Sequence, residues 1–268
     1  MTIHYAGENE IMYHTGLSRS MIKEAKYALV PGDPGRVEGL AKALDKGASF
    51  VASHRDFTTW KAKVSGETVL VMSTGMGGPC VTFAVEELAR LGVRTFIRVG
   101  TTGSIQEDLH LGDLVINTGS VRMDGASRAY APLSYPAMAD RRVTLALESA
   151  AIEVKVPFMT GISISTDSFW PGQERYDSCS GYVRRAFQGS LEEYRHLGCT
   201  NFEMENATLF TLASVMGLSA GSLCGVVARR LDSEDIAPRE VYEEAEMRFR
   251  KVVKRALEML IGHFMITL

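Results

Sequence analysis

Cysteine is scarce in this sequence, tryptophan scarcer, and neither sign of charge prevails. The four cysteines, Cys80, Cys179, Cys199 and Cys224, form no CxxC pair and no Cys/His ligand spacing. That excludes a structural zinc site of the usual kind. A few scattered thiols in a chain of 268 residues point to a reducing compartment, the cytoplasm, rather than to a disulfide framework. Lys and Arg number 29 against 32 Asp and Glu, a net charge of −3. No net positive field is present to hold nucleic acid or an anionic membrane, so basic residues that bind an anion must converge locally. Met1 to Glu10 has no basic region leading into an apolar run, so no signal peptide is expected. Thr208 to Ala228 is uncharged over a membrane-spanning length. Its Ser and Gly residues, and the helix end suggested by Met216-Gly217-Leu218, predict a buried helix followed by a buried strand. Several familiar signatures are missing as well. No glycine turn continues into Gly-Lys-Ser/Thr, and there is no GxGxxG and no HExxH.

What is present is an alternation of short Val/Ile/Leu/Thr runs with longer helical patterns. Strands are expected at Ala28–Val30, Thr95–Val99, Leu114–Thr118 and Gly161–Ser165. A hairpin is expected from Phe57–Val64 and Thr68–Ser73 around Ser65-Gly66-Glu67. Helices are expected over Gly35–Leu44, Val81–Leu91, Arg142–Glu153, Met204–Met216 and Val241–Phe264. Nothing resembling a linker divides residues 1–268. The pattern predicts one α/β domain, a three-layer α/β/α arrangement around a central mixed sheet. Two loop-rich stretches, 123–140 and 166–189, are long enough to suggest function.

Three glycine-rich segments adjoin strands: Pro31-Gly-Asp-Pro-Gly-Arg36, Ser73-Thr-Gly-Met-Gly-Gly-Pro79 and Arg98-Val-Gly-Thr-Thr-Gly103. The first two open helices, and the third is expected to end its strand. Glycine lets backbone N–H groups approach an anion, and arginine offers a planar fork that suits phosphate. Taken singly, each reads more readily as a plain turn. Glu203 and Glu205 lie two residues apart at an expected helix start, where they either cap the helix or hold the hydroxyls of a sugar. Phe169 and Trp170 precede Gln173 and Arg175, which suits either a planar base or a loop pinned by its aromatic residues.

Taken together, these segments resemble the nucleoside phosphorylase superfamily, its uridine phosphorylase family in particular, along essentially the whole chain. The resemblance rests on the three segments above and on Ser53-His-Arg-Asp-Phe-Thr-Thr-Trp60, Ser120-Val-Arg-Met-Asp-Gly-Ala-Ser127, Pro171-Gly-Gln-Glu-Arg-Tyr176 and Asn201-Phe-Glu-Met-Glu205, all in the family's order. It implies a pentosyltransferase of pyrimidine salvage, in which phosphate displaces uracil from uridine, and in some members from deoxyuridine or thymidine, to give ribose 1-phosphate. By that resemblance, phosphate meets Gly32, Arg36, Arg98 and Thr101, together with Arg55 of a neighbouring subunit. The ribose meets Thr101, Glu203, Met204 and Glu205, with His14 of the neighbour near its 5′ end. The base meets Phe169, Gln173, Arg175, Val227, Ala228 and Arg230. Arg98, Gln173, Arg175 and Glu205 are the residues expected to carry the reaction. Sites shared between subunits imply a homo-oligomer, a hexamer built as a trimer of dimers. No cofactor is implied beyond phosphate as co-substrate.

The resemblance also implies a dimer-interface position for a monovalent cation such as K+, at Asp56, Met76 and Cys80. Here Asp56 stands for the family's Glu, Cys80 for Ser and Met76 for Ile. Trp170 replaces a frequent Tyr, and Arg229 replaces an Asn. Three alternatives remain open at this point: a purine nucleoside phosphorylase, a nucleosidase of the same fold, and a non-catalytic nucleoside-binding protein. A purine enzyme favours an acid near the end of the last strand, and Gly225 to Arg230 offers none before Asp232.

Overall fold

A computed structural model describes residues 3–262. Phe264, the expected end of the last helix, lies outside them. The strands are β1 (Tyr27–Pro31), β2 (Ser49–His54), β3 (Phe57–Val64), β4 (Glu67–Met72), β5 (Thr95–Ser104), β6 (Leu114–Met123), β7 (Ala137–Met138), β8 (Phe158–Thr166), β9 (Cys199–Glu203) and β10 (Ser219–Arg229). The α-helices are α1 (Arg19–Ile22), α2 (Val37–Leu44), α3 (Gly78–Leu91), α4 (Arg141–Glu153), α5 (Ser190–His196), α6 (Asn206–Met216) and α7 (Arg239–Ile261).

Side-chain alternation along the strands creates two cores. Ala28, Val30, Leu70, Met72 and Phe96 face α3, α6 and the N-terminal segment. Leu29, Val69, Val71, Ile97 and Val99 face α2, α4 and α7. This is the period of two expected of strands buried on both faces, and it produces the expected mixed sheet between two helical layers. The hairpin also forms as expected, with Ser65 at φ 48 and Gly66 at φ 86. Two successive left-handed residues match the natural twist of paired strands. Gly217, at φ 65, ends α6 and redirects the chain into β10, so the uncharged stretch 208–228 is a buried helix and a buried strand. Among the described residues, no helix is long and apolar enough to cross a membrane.

The sheet does more than stack in layers. β5 pairs with β1 in parallel only as far as Pro31↔Val99, and its far end pairs instead with β9. Its other edge pairs with β10 from Ser219↔Thr95 to Arg229↔Ser104. Since β10 also pairs with β6, β6 with β8 and β8 with β9, five strands close into a ring. β1, β4, β3 and β2 extend from β5 as an open flank. The ring corrects two expectations. The segment Arg98–Gly103 is not the end of its strand, because both of its edges find ladder partners. The segment Cys199–Glu203 is a strand, and α6 begins at Asn206 rather than Met204.

The ring's interior is polar. Asn117 Nδ2 donates to Asn201 Oδ1 (2.8 Å), and Asn201 Nδ2 donates to Thr102 Oγ1 (2.7 Å). Asn206 Nδ2 reaches Asn117 Oδ1 (3.0 Å) and Ser163 Oγ (3.1 Å). Buried amides and hydroxyls are tolerated when they satisfy one another. The result is a stiff floor beneath the carboxyl ends of the strands, where ligands of open α/β sheets bind.

Candidate active site

A cavity of about 240 Å³ opens at the carboxyl ends of β1, β5 and β10. Its walls bring together Gly32, Arg36, Arg98, Thr101, Phe169 and Gln173 with Arg175, Glu203, Met204, Glu205, Val227 and Ala228. These residues come from segments up to 196 positions apart, from Gly32 to Ala228, and all were expected at the site.

At the centre is Arg98. It leaves β5 and lies across Gly100, where a Cβ would fall 2.2 Å from Nη1 of the guanidinium. Glycine is therefore required by contact rather than by a turn. Arg98 Nη2 donates to Glu205 Oε2, and Nε donates to Glu203 Oε2 at 3.5 Å. Glu205 Oε1 also accepts from the Gly77 backbone N–H (2.7 Å), which ties it to the glycine-rich turn before α3. Glu203 Oε2 accepts from the backbone N–H groups of Glu205 and Asn206, each at 2.8 Å, and so caps α6. Its Oε1 accepts from Ser163 Oγ (3.1 Å) and Ser165 Oγ. Of the two readings open for Glu203, helix capping is the one this geometry displays, while Glu205 carries the carboxylate more open to the cavity. Burial works against the charge on Arg98, but Glu205 and Glu203 outweigh it and hold its pKa above the ordinary range. Burial raises the pKa of Glu203 against the pull of Arg98.

One end of the cavity is aromatic and donor-rich. The Arg175 guanidinium lies 4.1 Å from the centroid of the Phe169 ring, and its Nη1 donates to the Glu234 carbonyl (2.7 Å). Gln173 is 3% exposed and lines the cavity. Arg230 does not line it. Arg230 sits behind the loop, where Nη1 donates to the Gln173 carbonyl (3.0 Å) and Nη2 to the Glu174 carbonyl (3.2 Å). Burial first, and then the nearby charge of Arg175, bring its pKa down to about 10.

Another part of the wall is formed by the turns after β1 and β4. Gly75 N donates to Gly32 O (3.0 Å), and Asp33 caps Gly35 N (2.8 Å), which fixes the short turn carrying Arg36. Met76 stands at the rim, 80% exposed.

Two expected residues lie elsewhere. His14 stacks on Phe83 with ring centroids 4.1 Å apart, and its Nδ1 is 2.7 Å from Glu87 Oε1. Arg55 is exposed, at φ 55, with its guanidinium 5.1 Å from the Tyr13 ring centroid. His54 Nδ1 meets the His14 carbonyl at 2.9 Å, so the two segments form one patch. Asp56 and Cys80 meet beside Gly75, where a Cβ would be 3.3 Å from Asp56 Cβ and 3.4 Å from Cys80 Sγ. A hard cation such as K+ prefers oxygen ligands. The shorter Asp56 carboxylate and the Cys80 thiol, standing for Glu and Ser, suit it less well. Among the described residues, no group of three or more His, Cys, Asp or Glu is arranged to hold a metal ion.

The family model described as "Phosphorylase superfamily" matches residues 26–258. The chain belongs to that superfamily. It is 47% identical to the uridine phosphorylase of Escherichia coli over 250 residues, covering 93% of this chain and 98% of the relative. It is 44% identical to the Haemophilus influenzae uridine phosphorylase over 251 residues, 94% of this chain and 99% of the relative. Similarity to a guanosine phosphorylase of Halorubrum lacusprofundi is lower, 33% over 230 residues, with 83% of this chain and 89% of that protein covered.

In this superfamily member the cavity has further walls that the sequence did not disclose. Ile236, just before α7, and Tyr242, in its first turn, face the same space as Arg36 and Arg175. Their only advance signal was an aromatic residue in the first turns of an otherwise charged helix. Arg122, in the motif from Ser120 to Ser127, is buried and donates to the carbonyls of Pro132 (2.6 Å), Tyr135 (2.6 Å) and Ala131 (2.8 Å), so that motif shapes a loop. Arg229 turns outward to Asp232 (3.0 Å).

Proposed function

We propose that this chain is a uridine phosphorylase, a pentosyltransferase that converts uridine and phosphate to uracil and ribose 1-phosphate. The observation that carries the reading is the gathering of three sets of groups around one cavity: Arg36 with the Gly32 turn, the Arg98–Glu205 pair, and Gln173 with Arg175 on Phe169. A phosphate oxygen attacks C1′ as the bond from C1′ to the base nitrogen breaks, and that bond's electrons leave with uracil. The sugar becomes oxocarbenium-like between two anions. Arg98, Arg36 and Thr101 hold the nucleophile, and Glu205 holds the ribose hydroxyls beside Met204. Gln173 and Arg175 meet the negative charge that develops on the uracil carbonyl oxygens. A donor aimed at developing charge in a water-excluded site contributes about 3–4 kcal/mol.

Two observations favour a pyrimidine over a purine. The levels of identity favour the uridine enzymes, and Asp232, the first acid after β10, pairs with Arg229 rather than lining the cavity. We place His14 and Arg55 in the site of a neighbouring subunit, within a hexamer built from dimers. Their position outside their own cavity, on an exposed patch, supports this. The four free cysteines suit the cytoplasm. No step is assigned to a monovalent cation.

The test is loss of uridine absorbance with and without phosphate, with inosine and guanosine in parallel. Phosphate-dependent cleavage of uridine is expected. Cleavage without phosphate would reassign the chain as a nucleosidase, and a preference for inosine or guanosine would overturn the base assignment.

A further inference from the structure

The phosphate end of the cavity is braced from outside by α7. Arg36 Nε lies 3.1 Å from Glu246 Oε1, with the two side chains only 12% and 21% exposed. The second oxygen of the same carboxylate, Oε2, accepts from Arg250 Nη2 at 2.7 Å. Arg250 in turn lies across Gly39 of α2, where a Cβ would fall 2.8 Å from its Nη2. Tyr242, Glu246 and Arg250 are four residues apart in succession, so they share one face of the helix. Tyr242 and Arg36 both line the cavity, whereas Glu246 and Arg250 stand behind them. Both carboxylate oxygens of Glu246 are thus engaged, one by each arginine.

We infer that Glu246 is a positioning residue for phosphate: it holds Arg36 by Nε so that the remaining edge of the guanidinium faces the cavity. The inference rests on the reading of Arg36 as a phosphate ligand. A free arginine side chain surrenders much rotamer freedom when it grips an anion. An arginine already held by Nε surrenders less, and its two terminal nitrogens keep the fork that suits a phosphate. The carboxylate reduces the net charge Arg36 presents, but phosphate retains Arg98 and the glycine-turn N–H groups. On this argument, orientation outweighs the charge that Glu246 cancels. Arg250 fixes Glu246 and has no line to the phosphate, so it acts at one further remove.

The experiment measures initial rates against phosphate at saturating uridine, and against uridine at saturating phosphate, for the wild type, E246A, E246Q and R250M. Direct phosphate binding is followed by calorimetry. For E246A the KM for phosphate should rise about tenfold, the equivalent of one well-placed polar contact, with a far smaller fall in kcat. The KM for uridine should stay within about twofold, since only the phosphate contact is loosened. E246Q keeps an oxygen at the same reach and should recover most of the loss, while R250M should show a smaller rise of the same kind. An unchanged phosphate KM in E246A would overturn the inference, and so would a parallel rise in both KM values, which marks a structural role. A lower phosphate KM would also overturn it, by showing that Glu246 competes with the anion. If E246A does not fold, R250M carries the same test. Failure of the wild type to cleave uridine would instead remove the functional reading, while phosphate calorimetry on the same variants still decides the role of Glu246.

Discussion

Arg98 and Glu205 form an ion pair in which both side chains are almost wholly buried, at 7% exposure each, and Glu203 approaches the same guanidinium from its Nε side. One cation thus serves two carboxylates while facing a cavity that also needs it for an anion. The position is structural and functional at once. Its burial explains why the cluster tolerates so little change: a buried charge whose partner is removed has no water to replace it.

Substitution of Arg98 should therefore separate fold from chemistry. R98A leaves two buried carboxylates without their cation and should cost about 3–5 kcal/mol of stability. Its kcat/KM for uridine should fall at least about a hundredfold, the scale for losing one preorganised donor. R98K keeps the charge but not the fork, so it should melt closer to the wild type and still be impaired about tenfold or more. Calorimetric melting and steady-state rates of both variants check this. Near-normal turnover in R98K would mean that charge alone is needed there.

Gly100 offers a quieter route to the same cluster. A single methyl group at that position falls 2.2 Å from Arg98 Nη1 and 2.7 Å from Cζ. Gly100 pairs with Cys224 of β10, and the preceding Val99 pairs with Pro31 of β1, so the guanidinium is expected to move rather than the backbone. G100A should lower kcat/KM as R98K does, although it changes no charged or polar group. A wild-type rate in G100A would show that Arg98 can shift without losing its function.

Much of this was legible beforehand, and what was not has a physical reason. The hairpin turn at Ser65-Gly66 and the helix end at Gly217 announce themselves through backbone geometry that few residues adopt. Gln173, Arg175 and Glu205 were legible as chemistry next to turns. β9 was not, because Cys-Thr-Asn-Phe-Glu faces a polar ring interior and shows no apolar period. For the same reason Arg98–Gly103 read as a turn, when its glycines serve close contacts with Arg98 and Arg230. The indirect position of Arg230 and the contribution of Tyr242 depend on long-range packing that no local pattern encodes.

Cys224 gives the fold an alkaline weakness. The thiol is fully buried next to Arg98 and Ser222, and burial pushes its pKa up to about 11 from an ordinary 9.0, against the pull of Arg98. The unfolded chain releases this proton from about pH 9, whereas the folded chain keeps it to about pH 11. The stabilising contribution is therefore whole below pH 9 and is lost as pH rises through that interval, up to roughly 3 kcal/mol. Urea midpoints of the wild type and C224A at pH 8 and pH 10.5 check it. The substitution's cavity cost is common to both pH values, as is the opposite trend of Arg230, so the difference of differences isolates the thiol. Equal losses in the two proteins would show that Cys224 does not titrate in this way.

The division of the site between subunits can be tested without a structure of the assembly. Arg55 and His14 sit on a patch away from the cavity of their own chain, whereas Arg98 is at its centre. If a neighbour supplies Arg55, R55A damages the neighbour's site and R98K damages its own. Each homo-oligomer should then be poorly active. In a heterodimer of the two variants, the R55A chain contributes an intact cavity and the R98K chain an intact Arg55, so one of its two sites is complete. Random pairing makes half the dimers mixed, which restores about a quarter of wild-type activity from two impaired parents. Co-expression with two different affinity tags and sequential purification removes the parental homo-oligomers, and in a trimer of randomly formed dimers about a quarter of the sites are then complete by the same count. Mixed oligomers no more active than the average of their parents would return Arg55 to its own chain, or remove it from the site.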